Sequence, residues 1–333
     1  MDLENKKLRP SIKPNSKFEN DGYTLEKAKD FKRAFRGLGT DEYRLIKLLS
    51  EHSNSQLQDI SKKYSEEYNN DLTDDLKDEL MGSFEDLCVS LLTPRRLWDA
   101  QYTKKALQNI GTNEVWLTEI ICARTAEEME DLKTAYAEIH ETPLEYMIKS
   151  DTSGPNQKLM LGLLEGKRSQ SNEVNEAEAE EDAKALYDNG EGTNSDKNEE
   201  VFINILVSKS WCQLRATFNQ FEHIAEMTIE RSLDNQFSGD ICTAFKTIVA
   251  YARDPLTYWA ERLHSTLCGK DEDDESFFRL LIQHSETDLD SIKDIYDEIY
   301  EKRLIEDIKS EFSGCVRKLL VRITDPTSSV RDN

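Results

Sequence analysis

An all-α fold is the expectation for this chain, and two observations carry it. Apolar residues recur at helical spacing along nearly the whole length, and strand-like alternation is almost absent. The pattern also repeats. Four short polar breaks, His52-Ser53, Arg124-Thr125, Lys209-Ser210 and His284-Ser285, end the matched runs "LIKLLSEH", "LTEIICAR", "FINILVSK" and "FFRLLIQH". The steps between their Ser/Thr positions are 72, 85 and 75 residues. Counting from each break, an apolar residue stands four positions on (Leu57, Met129, Leu214, Leu289) and an aromatic eleven on (Tyr64, Tyr136, Phe221, Tyr296). A glycine stands 29 on (Gly82, Gly154, Gly239, Gly314), each introducing another largely apolar run. Spacings of four, seven and eleven fall on one helix face, so the landmarks trace core-facing stripes. Four repeats of about five helices each are expected.

Taken in order, residues 1–22 read as an N-terminal tail, interrupted by Pro10 and Pro14 and packed loosely on the body. Repeat 1 spans 23–94 and repeat 2 spans 95–166, joined by the short turn in "TPRRLWDA". Residues 167–178 are a polar, acidic linker, read as a solvated connector that accounts for the longer second step. Repeat 3 spans 179–253 and repeat 4 spans 254–325, joined at "RDPLTYWA", and 326–333 form a C-terminal tail.

Charge and composition exclude several functions. The formal net charge is −23, from 43 basic and 66 acidic residues, and no strong basic block interrupts it. Nucleic acid binding needs a basic face to displace phosphate counterions, so no nucleic acid partner is expected. An anionic lipid surface would repel the chain unless cations bridge the two. No run approaches the roughly 20 apolar residues of a membrane-spanning helix. The start "MDLENKKLRP" lacks the apolar core of a secretory signal, which points to the cytosol. Six scattered cysteines without a CxxC pair read as reduced core residues rather than a disulfide frame or zinc site. Five histidines show no HExxH spacing; His52 and His284 are read as helix-end residues bonded to nearby carbonyls or carboxylates. GxSxG, P-loop and kinase motifs are absent, so no catalytic residue is assigned and the chain is not expected to be an enzyme.

One stretch asks for more than packing. "AFRGLGTDE", Ala34 to Glu42, sets two glycines and a threonine between two amphipathic helices. Helix punctuation accounts for a glycine after one helix and for a threonine with acidic neighbours before the next. It does not account for a carboxylate at a fixed long distance. Glu79 lies 39 residues after Thr40, and in repeat 2 Asp151 lies 39 after Thr112 of "LQNIGTNE". Calcium explains that pairing. It takes six to eight oxygens, commonly backbone carbonyls plus a bidentate carboxylate and water. A glycine-rich loop can turn several carbonyls to one point, and the carboxylate then arrives from another helix pair.

The repeats, the "GLGTDE" and "GTNE" loops, "LTEIICART" and the "DTSG" ending together resemble the annexin family, over about Leu25 to Thr324. The resemblance implies a curved helical disc in which repeats 1 and 4 form one half and repeats 2 and 3 the other. It also implies loops that carry calcium to acidic phospholipids. Site one would use the carbonyls of Phe35, Gly37 and Gly39 with the Glu79 carboxylate. Minor sites would map to Thr40 with Glu42 and to Leu80 with Glu85. Site two would use the carbonyls of Leu107, Asn109 and Gly111 with Asp151, weakened where Asn109 replaces the family's glycine. Repeat 3 carries Gln236 at the carboxylate position and a loop one residue longer, so its site is read as lost. Repeat 4 keeps Glu311, with Leu267, Gly269 and Asp271 at the loop positions of "LCGKDEDD". That set stays open between calcium in a different geometry and a solvated acidic turn. As an EF-hand the segment fails, because its sixth residue is Ser276 and its twelfth Ile282.

Asp99, Glu119, Arg124 and Arg279 match polar residues of the family's central passage. An ion-pair network is the preferred reading over ion conduction, since buried charges need partners. The expected function is calcium-dependent, reversible binding of acidic, phosphatidylserine-like membranes at the cytosolic face, with Ca²⁺ as the cofactor. The protein is expected to be a monomer in solution, with lateral assembly on membranes left open. The alternative is a calcium-independent helical-repeat scaffold that binds cytoskeletal or other proteins.

Overall fold

The computed structural model describes residues 8–18, 21–37, 39–108, 113–190, 198–268 and 273–329. Among these residues every regular element is a helix, and there are 20 of them. Repeat 1 holds α1 (Asp21–Ala34), α2 (Glu42–Ser50), α3 (Asn54–Tyr68), α4 (Leu72–Glu79) and α5 (Gly82–Leu92). Repeat 2 holds α6 (Arg95–Gln108), α7 (Glu114–Cys122), α8 (Ala126–His140), α9 (Leu144–Asp151) and α10 (Gly154–Leu164). Repeat 3 holds α11 (Glu176–Gly190), α12 (Glu199–Ser208), α13 (Trp211–Ala225), α14 (Ile229–Gln236) and α15 (Gly239–Arg253). Repeat 4 holds α16 (Pro255–Cys268), α17 (Asp274–Ser285), α18 (Leu289–Tyr300), α19 (Leu304–Glu311) and α20 (Gly314–Thr324).

The chain divides into two compact units. Met1–Arg95 with Leu256–Asn333 form one, and Arg96–Pro255 form the other, so repeats 1 and 4 share a unit and repeats 2 and 3 share the second. All eight stripe landmarks are buried, from Leu57 to Tyr296, none more than 2% exposed. Each such side chain contributes about 1.5–3 kcal/mol on leaving water, which is why the stripe rather than helix propensity sets the architecture. The glycines 29 positions past each break all adopt left-handed backbone, with φ between +59° and +66°, and each opens the last helix of its repeat.

The polar breaks work as helix caps in three repeats. Thr125 and Glu128 form a reciprocal capping box, with bonds of 2.8 and 3.3 Å. The Ser53 amide donates to Gln56 Oε1 at 3.2 Å, and Ser210 Oγ accepts from the Gln213 amide at 3.3 Å. Repeat 4 departs from this pattern. There α17 runs on through Ser285, and Asp288 becomes the N-cap position of α18. Two contacts explain the change: Ser285 Oγ donates to the Ile282 carbonyl at 2.9 Å, and His284 Nδ1 meets Asp288 Oδ1 at 2.7 Å.

Both segments expected to be loose are tied down. In the tail, Ile12 is 2% exposed and its amide donates to Ser285 O, while Asn15 and Gln56 exchange two hydrogen bonds of 2.8 and 3.0 Å. In the linker, Asn175 and Gln213 repeat that exchange at the same two distances. Arg168, expected in solvent, is buried: it donates to the Lys209 and Leu206 carbonyls and lies 3.8 Å over the Trp211 ring. Helix-end carbonyls need donors, and the guanidinium supplies several from one side chain.

Four non-glycine residues, Asn69, Glu141, Glu226 and Glu301, cap α3, α8, α13 and α18 with φ of 50–53°, each 16 residues past its break. Left-handed backbone costs a β-carbon-bearing residue about 1–2 kcal/mol, and asparagine tolerates it better than glutamate. Glu141→Gly is therefore expected to raise stability by up to about 1 kcal/mol, read as a higher urea midpoint with unchanged slope. Asn69→Gly is expected to gain less.

Candidate metal centre in the helix loops

The loop of repeat 1 is built by backbone geometry. Gly37 and Gly39 have φ of +121° and +88°, conformations that side chains resist, and a β-carbon at either would meet nothing within 4 Å. Conformation, not crowding, demands glycine there. The loop closes where the Asp41 amide donates to the Ala34 carbonyl at 2.9 Å. Asp41 then caps α2, accepting from the Arg44 amide at 3.0 Å.

The distant carboxylate arrives as the spacing requires. Glu79 is the last residue of α4, exposed, and its Oε2 accepts from Thr40 Oγ1 at 3.2 Å across 39 residues of chain. Thr40 thus faces Glu79 with its side chain, while its carbonyl accepts from the Glu42 amide at 3.0 Å. Phe35 lies at the start of the loop, half-buried. Leu80 is the extended residue after α4, and Glu85 lies in the first turn of α5. Thr40 and Glu79 present oxygens at the loop end, which suits a hard cation such as calcium.

In repeat 2, Asp151 ends α9 as Glu79 ends α4, and the Asn113 amide closes the loop on the Ala106 carbonyl at 2.7 Å. Leu107 is buried in α6; Asn109 and Gly111 lie outside the described residues. In repeat 4, Glu311 ends α19, exposed, and the Asp273 amide donates to the Thr266 carbonyl at 2.9 Å. Leu267 is buried in α16, and Gly269 and Asp271 lie outside the described residues. In repeat 3, Gln236 ends α14 but turns inward, 7% exposed, and its amide donates to Ser232 Oγ. A β-carbon on Gly190, at the end of α11, would overlap the Gln236 amide group, so this side chain occupies the space beside the loop's entrance.

Asp99 pairs with Arg124 at 2.9 Å in one unit, where Glu119 is fully buried. Arg279 is fully buried in the other unit and donates to Gln283 Oε1 at 3.0 Å. Two further features escaped the sequence pattern. Met81 is 85% exposed two residues beyond Glu79, where the other repeats carry Ser153, Ser238 and Ser313. The Glu114 carboxyl, in the first turn of α7, is pushed up to about 7 by burial and then by the neighbouring Asp240 charge, with the nearby Asn156 amide acting the other way.

Comparison with known proteins finds matches to the four-repeat fold. The annexin family model matches residues 26–91, 98–163, 181–248 and 258–323. The chain is 36% identical to human annexin A13 over 91% of its own length and 96% of that protein's. It is 38% identical to mouse annexin A3, covering 89% and 91% of the two chains. Among solved structures, annexin III superposes with a TM-score of 0.90 at 36% identity, over 96% of this chain and 97% of the other. A calcium-bound annexin, (Sm)1, superposes with a TM-score of 0.82 at 27% identity, over 96% and 93%.

The raised Glu114 carboxyl has a definite linkage sign. Its pKa in the folded chain exceeds the ordinary 4.5, so the folded state holds the proton more tightly. Stability therefore falls as pH rises from about 4.5 through about 7, and the whole penalty is present above that. Glu114→Gln is expected to raise the melting temperature at pH 8 and leave it nearly unchanged at pH 5. An equal gain at both pH values would contradict the assignment.

Proposed function

Because the chain belongs to the annexin family, whose members are non-enzymatic, calcium-dependent phospholipid-binding proteins, we propose that it docks on acidic phospholipid membranes through repeats 1 and 2. The observation that carries this reading is the Thr40–Glu79 contact, which joins a glycine loop to an exposed carboxylate 39 residues away. In repeat 1 the carbonyls of Phe35, Gly37 and Gly39 and the Glu79 carboxylate would hold calcium. In repeat 2 Leu107, Asn109 and Gly111 with Asp151 would do so. Thr40 with Glu42 would form the minor site. Calcium, when bound, supplies the positive charge that lets a chain of net charge −23 approach an anionic headgroup.

The chain's own residues do the rest. Gly37 and Gly39 hold the loop in the conformation that frees its carbonyls, and Thr40 steadies the Glu79 carboxylate. Met81 adds an exposed apolar side chain beside the same helix end. With one carboxylate and neutral carbonyls each site is weak, so attachment depends on sites acting together and drops steeply as they are lost. Repeat 3 contributes nothing, because Gln236 is buried and neutral. The exposed Glu311 leaves repeat 4 as an auxiliary site with Leu267, Gly269 and Asp271. The docked protein would sit on the cytosolic face, and the ion pair of Asp99 with Arg124 would be structural. If repeats 1 and 2 prove silent, the scaffold reading takes precedence, and the lost site of repeat 3 is the observation in its favour.

Co-sedimentation with phosphatidylserine liposomes across a calcium titration tests the reading. Wild type is expected to bind half-maximally in the micromolar-to-millimolar range, and Glu79→Gln with Asp151→Asn to lose most binding. Binding that survives chelation would favour the scaffold. Binding at nanomolar calcium would overturn the weak-site mechanism.

A further inference from the structure

We propose that repeat 4 carries a second metal site, separate from the calcium loops, in which His264, Cys268 and Asp307 bind a soft divalent ion of the zinc class. One ligand atom from each residue lies within 4.8 Å of the other two. His264 and Cys268 are one turn apart on α16, and His264 Nδ1 stands 3.3 Å from Cys268 Sγ. A tetrahedral ion with ordinary zinc–sulfur and zinc–nitrogen bonds sets those two atoms about 3.6 Å apart. Asp307 comes from the first turn of α19 and is buried. Cys268 is exposed, unlike the four buried cysteines, so solvent reaches the site and a water can complete the shell.

The repeats supply an internal comparison. Counted from the polar breaks, His264, Cys268 and Asp307 take the places of Lys32, Arg36 and Asp75 in repeat 1. There the half-buried carboxylate is matched by Lys32 at 2.8 Å and by the Tyr64 hydroxyl. Repeat 4 keeps the carboxylate and its tyrosine, with Tyr296 donating to Asp307 Oδ2 at 2.6 Å. It replaces Lys32 of α1 and Arg36, just beyond that helix, with an imidazole and a thiol. Neither repeat 2, with Lys104, Gln108 and Met147, nor repeat 3, with Ser232, has the set. Imidazole and thiolate suit zinc, whereas calcium takes oxygen.

The surroundings hold the ligands in place. The Tyr296 hydroxyl donates to Asp307 and so accepts from His264 Nδ1 at 3.0 Å. An ion at Nδ1 takes the place of that proton, the imidazole shifting to its Nε2–H tautomer while it stays stacked on Tyr300 with ring centres 3.7 Å apart. Lys302 pairs with Asp307 Oδ1 and is the group an incoming ion displaces. Its side chain is 46% exposed, so release to solvent costs little. On binding, the thiol becomes thiolate and its proton passes to water.

The test uses the full chain, stripped with chelator and titrated with Zn²⁺ by calorimetry and with Co²⁺ by absorption. Wild type is expected to bind one Co²⁺ with a thiolate charge-transfer band that Zn²⁺ abolishes and excess Ca²⁺ does not. Cys268→Ser is expected to lose the band, and Cys315→Ser to keep it. His264→Lys restores the repeat 1 residue and should fold, judged by an unchanged circular dichroism spectrum, yet weaken Zn²⁺ binding at least about 10-fold. The proposal is overturned if wild type gives no band, if Cys268→Ser keeps it, or if His264→Lys binds Zn²⁺ as tightly as wild type.

Discussion

Each loop described at its closing end hangs on one backbone hydrogen bond, donated by the N-cap residue of the second helix to the carbonyl seven residues back. Asp41 closes on Ala34, Asn113 on Ala106 and Asp273 on Thr266, at 2.7 to 2.9 Å. The bond satisfies a carbonyl at the end of one helix and an amide at the start of the next, two groups that helices otherwise leave without partners. In repeat 1 the chain makes the turn between Ala34 and Asp41 with left-handed backbone at Gly37 and Gly39. The same closing bond that caps the second helix thus fixes both ends of the segment proposed to hold calcium.

The same economy appears at the other end of the site. Glu79, Asp151, Gln236 and Glu311 are each the last residue of a short helix, followed by two extended residues and then a left-handed glycine. Where the side chain is a carboxylate with little burial, as Glu79, it remains available. Where it is a neutral amide, as Gln236, burial is cheap and the side chain folds inward over Gly190. Desolvation thus decides between the two outcomes, because a carboxylate could not follow Gln236 inward without a partner.

Repetition allows neighbouring positions to change chemistry without changing the frame. Burial raises the Asp75 carboxyl, but Lys32 and Tyr64 outweigh it and hold Asp75 below the usual carboxylate range. Repeat 4 keeps the aspartate and its tyrosine while exchanging the lysine for His264. Repeats 1 and 4 share the aspartate, where repeats 2 and 3 have Met147 and Ser232, and differ in what stands opposite it.

Period, helix class and the pairing of Thr40 with Glu79 were legible in the sequence, because 3.6-residue spacing and fixed offsets survive in one dimension. The left-handed glycines were legible as landmarks for the same reason. The left-handed glutamates Glu141, Glu226 and Glu301 were not, since glutamate carries no local signal for the left-handed backbone that these helix C-caps adopt. Nor was the burial of Arg168, whose partners Leu206 and Lys209 lie about 40 residues away and offer only carbonyls. The cluster of His264, Cys268 and Asp307 joins two helices through a distance no motif records. Sequence by itself determined which faces must be buried and where the chain must turn, because hydrophobicity and backbone sterics are local. Only the tertiary structure decided which polar groups meet across those turns, because that depends on how buried faces dock.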